Sequence, residues 1–396
     1  MQGENEKEWT AIQEAMVGWR RDLHRMPELM NEVPNTSAYV QRVLKGLGIP
    51  FQTLMEGNAV VGHIPGKKKG AGKVLALRAD MDGLKVKEET GLPFASQNGC
   101  MHACGHDGHM AMLLGAASYL QAHREAFSGE VRLLFQPGEE YPGGAKPMIR
   151  EGCLENPRVD AVFGMHEGQI SPDLPPGYLG FRKGAIMAAM DRLLIRVKGK
   201  GGHAANPHKS VDPIPLASEM VLALQTLMSR ERNPVEPAIL SITRFTAGFN
   251  QNVIPDTAEL EGTVRTVNPK TRVWLRDRIR ELCRDLARSR GAEVEIEHLF
   301  KYPALLNDPD FTELAKRAAA TIYPEDKIMD LPAPNMGSED FAFYTEEVPG
   351  TFAFMSNPKP ADGRFTGHHS SHFDVDEGMF STGARLFVQV ALDFLQ

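Results

Sequence analysis

At 396 residues the chain is longer than one hydrophobic core comfortably serves, so two domains are expected, and 42% hydrophobic with 24% charged residues is the balance of an ordinary soluble globular protein. A formal net charge of -7 with no long basic run argues against nucleic acid as a principal partner, and no run approaches the roughly 18 apolar residues of a membrane span. The opening M-Q-G-E-N-E-K-E-W is acidic where a secretory signal is basic, so a cytoplasmic protein is expected, and the four cysteines, Cys100, Cys104, Cys153 and Cys283, are too few for a disulfide framework.

Four short apolar runs read as buried parallel strands, and each ends in residues that can do chemistry. Residues 73–77 (K-V-L-A-L) run into Arg78-Ala79-Asp80-Met81-Asp82. After them comes M-H-A-C-G-H-D-G-H-M at 101–110, three histidines, a cysteine and an aspartate beside Gly105 and Gly108, the side chains that bind borderline transition metals. The stripe Met112, Leu113, Ala116, Ala117 and Leu120 predicts a core-packed helix over 110–127. Residues 130–136 (E-V-R-L-L-F-Q) lead into Pro137-Gly138-Glu139-Glu140, and 159–164 into Met165-His166.

From about 188 to 301 the pattern changes to strand 192–197, helix 211–230, strands 239–245 and 257–264, helix 271–288 and strand 294–300, a β-α-β-β-α-β order that predicts a compact sheet with two helices on one face. The expected division is a catalytic α/β domain over 1–187 and 302–396, with a central sheet flanked by helices, and an inserted α+β domain over 188–301. The fourth catalytic strand, 351–356, leads into a loop carrying Gly367-His368-His369-Ser370-Ser371-His372. Ligands gather at the carboxyl ends of strands in open α/β sheets.

Cys104, His106, Glu139, Glu140, His166 and His369 are more donors than one tetrahedral ion with an open position needs. Two ions sharing a bridging ligand fit better, and one of Glu139 and Glu140 is left to accept a proton from the attacking water; spacing does not say which. Asp80 reads equally as a strand-end cap or as an orienter of a ligand, and Asp82 is undecided. His102 and His109 read as hydrogen-bonded structural histidines ahead of direct substrate or metal contact, and Glu339 as a carboxylate behind a ligand or at a helix N-terminus.

The wording R-A-D-M-D-G-L, M-H-A-C-G-H-D-G-H, Q-P-G-E-E, G-M-H, G-K-G-G-H-A-A-x-P-H, N-V-I-P-D, M-G-S-E-D-F and H-x-x-H-F-D, in this order between Trp19 and Asp376, resembles the amidohydrolase branch of the aminoacylase and carboxypeptidase-G-like metallopeptidase superfamily. Hippurate hydrolases, auxin-conjugate hydrolases and N-acetyl-amino-acid deacetylases belong to it. The resemblance implies a di-metal hydrolase that cleaves the amide of a small N-acyl-amino acid. Two divalent ions per subunit would be held by Cys104, His106, Glu140, His166 and His369, with Cys104 bridging and zinc or manganese ahead of cobalt or nickel. His369 is preferred to His368 because the family's ligand stands three residues before a pair such as His372-Phe373.

By the same resemblance Glu139 is the general base, His203 reaches the active site of a partner subunit to polarise the scissile carbonyl, Asn252 binds substrate, and the inserted domain is the lid through which a homodimer forms. Judged from its surroundings alone, His203 would be a turn residue. Met26 stands where relatives commonly have another histidine and Ser371 where a proline is common, departures that touch substrate preference rather than the ligand set; 244–250 (R-F-T-A-G-F-N) lacks the usual glycine-rich wording, which bears on the acyl group or the subunit contact. Other readings are a dipeptidase or carboxypeptidase using the same site, or a catalytically silent binding member, which would have no need of Glu139.

Overall fold

The computed structural model describes residues 2–70, 72–360 and 365–396, with side chains from Glu6 onward. The chain divides into two compact units, Met1–Ile186 with Leu306–Ala333 and Asp340–Gln396, and Met187–Leu305 with Pro334–Glu339. None of the described helices is long and apolar enough to cross a membrane.

The first unit is built on an eight-stranded sheet in the order Phe51–Leu54, Ala59–Pro65, Glu130–Gln136, Val74–Asp80, Ala161–Glu167, Gly350–Ser356, Tyr178–Phe181, Ile328–Asp330. Its centre is the four strands read from the sequence, and they run parallel to one another. Every residue of Val74–Asp80, Ala161–Glu167 and Gly350–Ser356 is buried, which is why they appear as unbroken apolar runs rather than alternating patterns. Because the four are parallel, their carboxyl ends share one edge, and the polar residues that follow them meet there. The outer hairpin Phe51–Leu54 with Ala59–Pro65 is antiparallel, as is its join to Glu130–Gln136, so the sheet is mixed.

Helix Gln2–His24 packs on helix His106–Ala122, which also lies against Phe380–Phe394. The His106–Ala122 helix starts four residues earlier than the apolar stripe suggests, and ends earlier too. It is buried from His106 to Ala117 without interruption, the character of a helix enclosed on all sides rather than one with a wet face. Its N-cap, Gly105, takes φ 87°, a left-handed conformation that costs glycine little. A Cβ on Gly108, in the first turn, would sit 1.7 Å from the buried Glu167 carboxyl. These two glycines serve a turn and a close approach, and the helix runs through the second of them.

The second unit holds the predicted β-α-β-β-α-β order as a four-stranded antiparallel sheet, Ala238–Ala247, Thr257–Thr266, Ala189–Lys198, Glu293–Tyr302. Leu193, Ile195 and Val197 alternate inward along one strand while Arg192 and Arg196 face solvent, the period of a half-buried sheet. Helices Pro213–Thr226 and Pro269–Ser289 cover the apolar side through Leu216, Met220, Leu275 and Ile279. Both begin at an Asx cap followed by proline, with Asp212 accepting from Ile214 N and Asn268 from Lys270 N. The first helix ends short of the expected 230, and a wider turn, Leu227–Glu231, follows it.

Candidate metal centre

At the shared carboxyl edge of the first unit, Cys104, His106 and His166 offer ligand atoms that all lie within 4.8 Å of one another, and so do Cys104, Glu140 and His369. Cys104 belongs to both triplets. His106, Glu139 and Glu140 form a third. The six sequence candidates are therefore brought together on this unit. His203 and Asn252 belong to the other unit, where Gly202–His203 pairs antiparallel with Val253–Ile254 and Ala204 N donates to the Asn252 carbonyl at 3.0 Å.

Backbone carbonyls set the histidine tautomers. His106 Nδ1 donates to the Asp82 carbonyl at 2.8 Å and His166 Nδ1 to the Glu167 carbonyl at 2.8 Å, so in the neutral rings each Nε2 keeps its lone pair. His166 Nε2 faces the Cys104 sulfur at 3.4 Å, and the buried His106 Nε2 has no hydrogen-bond partner. Glu140 Oε1 is likewise buried without a hydrogen bond, 2.8 Å from His369 Nε2 but not in bonding alignment. Buried polar atoms left unpaired are costly unless something else satisfies them, and a metal ion is what this donor set fits.

Electrostatics point the same way. Burial, then Glu140, Glu139 and Asp80, push the Cys104 thiol well above its ordinary range. Burial opposes charge on His106, but Asp80, with Asp82, outweighs it and pushes the group up to about 10. The centre is thus strongly negative, a potential that divalent cations neutralise and that turns a thiol into a thiolate ligand once they bind.

Of the adjacent histidines in the last loop, His369 is the one beside Glu140, whereas His368 Nε2 donates to the Glu167 carbonyl at 2.9 Å. His369 sits at φ 66°, and its N–H donates to the Ala103 carbonyl at 2.8 Å. A left-handed conformation in a residue with a side chain costs on the order of 1 kcal/mol or more, so the loop holds this ring in place against a local preference.

The undecided residues take defined positions. His109 is fully committed, donating from Nδ1 to Asp80 at 2.6 Å and accepting from Glu167 N at 2.9 Å on Nε2. His102 is buried, and neither ring nitrogen has a hydrogen-bond partner, contrary to the expectation of a bonded structural histidine; burial pushes it down to about 4. Asp80 accepts from Arg78 at 2.8 Å and lies 3.6 Å from His106 Nε2. Asp82 accepts the N–H groups of Glu139 at 2.9 Å and Glu140 at 3.2 Å, fixing the backbone of the acidic pair. Arg78, Glu167 and Asp340, all buried here, carry no role that the sequence alone assigns; for Arg78 and Glu167 the signal is a charged residue at the end of an apolar run, and Asp340 has no such mark.

Residues 76–393 match the sequence profile of Peptidase family M20/M25/M40. The chain belongs to this family. Among its relatives, the N-acetyl-L-cysteine deacetylase of Bacillus subtilis is 40% identical over 93% of this chain and 85% of its own length. Thermostable carboxypeptidase 1 of Saccharolobus solfataricus is 39% identical over 97% and 96%. Among solved structures, the Bacillus subtilis YXEP protein, described as a dinuclear metal binding peptidase of family M20, superposes with a TM-score of 0.84 at 35% identity, covering 98% of this chain and 99% of that one. The matched span of this M20/M25/M40 member takes in both units and all six candidate ligand and base residues.

Proposed function

We propose that this chain is a metal-dependent amidohydrolase acting on the linear amide of small N-acyl-amino acids, releasing a carboxylic acid and a free amino acid. The observation that carries the reading is a carboxylate, Glu139, adjoining two ligand triplets that share one sulfur. The similarity to an N-acetyl-L-cysteine deacetylase over nearly the whole chain supports the substrate class.

In this reading Cys104, His106, Glu140, His166 and His369 would hold two divalent ions, zinc or manganese before cobalt or nickel, with Cys104 the donor common to both triplets. When bound, such ions supply Lewis-acid polarisation and lower the pKa of water. Glu139 accepts a proton from the attacking water as its oxygen bonds to the acyl carbon, and returns it to the amine nitrogen as the C–N bond breaks. Asp82 keeps Glu139 in place through its amide. His203 completes the site of a partner subunit in a homodimer formed through the inserted unit. Its Nδ1 accepts from Ala205 N at 3.0 Å, so a neutral ring carries its proton on Nε2, ready to donate to the developing oxyanion. Asn252, close to His203 on the paired ladder, contacts substrate.

The likeness to a carboxypeptidase favours a second reading, cleavage of a peptide bond by the same groups. The test is release of free amino acid from N-acetyl, N-benzoyl and indole-acetyl amino acids and from dipeptides, with zinc, manganese or cobalt supplied. Faster release from an N-acyl-amino acid is the expected result; faster release from dipeptides would transfer the assignment to the peptidase reading, and no release from either would leave a binding member.

The role of His203 is tested by mixing subunits. His203→Ala and Glu139→Gln proteins should each keep at most about a hundredth of wild-type turnover with metals bound, and their mixture should recover activity. Random reassortment makes about half the dimers mixed with one competent site of two, so recovery approaches about a quarter of wild type by the pairing logic of an isologous dimer. No recovery after confirmed subunit exchange would mean that His203 serves its own chain.

A further inference from the structure

The segment between strand Glu130–Gln136 and helix Ala145–Arg150 is a closed loop with Glu139 and Glu140 near its middle. Gly143 N donates to the Gly138 carbonyl at 2.9 Å. The two feet also approach closely, since a Cβ on Gly144 would lie 1.7 Å from the Pro137 carbonyl oxygen. One buried carboxylate binds both feet. Asp340 Oδ2 accepts from Gly144 N at 2.8 Å, from Ala145 N at 2.9 Å and from Gln136 Nε2 at 2.8 Å. Asp340 Oδ1 accepts from Gln136 Nε2 at 2.8 Å and from Arg78 Nη2 at 3.0 Å.

Arg78 continues the chain of contacts. Its Nε donates to Gln136 Oε1 at 3.0 Å and its Nη1 to Asp80 Oδ2 at 2.8 Å, and Asp80 in turn faces His106. Asp340, Arg78, Gln136 and Asp80 are all at most 1% exposed. Such a cluster is expensive to bury, and an apolar filler would close the space at lower cost. What an apolar filler cannot do is fix the spacing of two backbone feet. Both Asp340 oxygens are occupied by these donors.

We infer that Asp340 is a positioning residue for the hydrolytic reaction: it pins the two feet of the 137–144 loop, as Asp82 pins its crown, and so fixes where the Glu139 carboxylate stands relative to the Cys104–His106 side of the centre. The inference rests on the proposed role of Glu139 as base. Asp340 touches no reacting atom; it acts through the loop. A shift of about 1 Å in a reacting group can cost on the order of a hundredfold, and this loop carries the group that must meet the water.

Asp340→Asn keeps the volume but puts an NH2 against a row of donors. A fall in kcat of about 30- to 100-fold with KM changed less than about threefold is expected, with both metals retained. The deciding measurement is a double-mutant cycle: in a Glu139→Gln background Asp340→Asn should cost less than about twofold more, because two residues acting through one step are not additive. In the metal-free protein, hydrogen exchange at Gly144, Ala145 and the loop amides should accelerate while strand Val74–Asp80 stays protected.

Equal losses in both backgrounds, unchanged kcat, or faster exchange spread across the central strands would overturn the inference and leave Asp340 a fold residue. If Asp340→Asn does not fold, Gln136→Met frees the strand-side foot, together with the Arg78 Nε bond, and should lose about tenfold in kcat in wild type and nothing in Glu139→Gln; equal loss in both sinks the proposal. Should Glu139→Gln itself stay active, the base assignment fails, and the exchange data still decide whether Asp340 clamps the loop.

Discussion

Glu139→Gln is expected to lower turnover by roughly two to four orders of magnitude, the loss that accompanies removal of a general base, while both metals stay bound. Glutamine keeps the shape of the side chain and the main-chain bond from residue 139 to Asp82, 2.9 Å in length, but it cannot take a proton from water. The neighbouring substitution should behave differently. Glu140 lies in two ligand groups, one with Cys104 and His369 and one with His106 and Glu139, and its Oε1 is buried without a hydrogen bond. Glu140→Gln should therefore lose metal first and activity as a consequence. Kinetics and elemental analysis on the two proteins side by side check both statements, and the opposite pattern would exchange the two roles. The side chains stand on adjacent residues of one loop, so a global effect on folding would strike both alike; a split between them has a chemical cause.

How much of this was legible in the sequence depended on the range of the interaction. The four central strands were readable because strands buried on both faces carry continuous apolar runs, closed by polar residues such as Arg78, Gln136, His166 or Ser356. Their spatial order was not readable, nor was the outer hairpin Phe51–Leu54 with Ala59–Pro65, whose alternation is weak. The beginning of helix His106–Ala122 was missed because Gly105 and Gly108 look like loop formers, whereas one is a left-handed cap and the other makes room for Glu167.

The candidate donors of the centre were legible as residue types because thiolate and imidazole are the side chains that bind borderline transition metals. The residues that hold them were not. Asp82 and Asp340 act through main-chain amides 57 and 196 positions away in sequence, contacts that leave no periodic trace. His203 and Asn252 were singled out by resemblance alone, since an exposed histidine in a glycine-rich turn carries no local mark of catalysis.

In the proposed centre one sulfur would serve two ions. Cys104 is the residue common to both triplets, and burial, followed by the surrounding carboxylates, pushes its thiol well above the ordinary range. Alanine at this position leaves His106 and His166 on one side and Glu140 and His369 on the other, each set short of the three protein ligands that a catalytic ion ordinarily has. Activity should fall with metal content rather than independently of it, because metal affinity scales with the number and charge of the ligands. The most direct measurement is metal stoichiometry of purified, folded Cys104→Ala protein after dialysis against limiting metal, beside wild type. Two equivalents in wild type and clearly fewer than two in the variant, with activity lost in step, is the predicted result; two full equivalents in Cys104→Ala would contradict the shared thiolate.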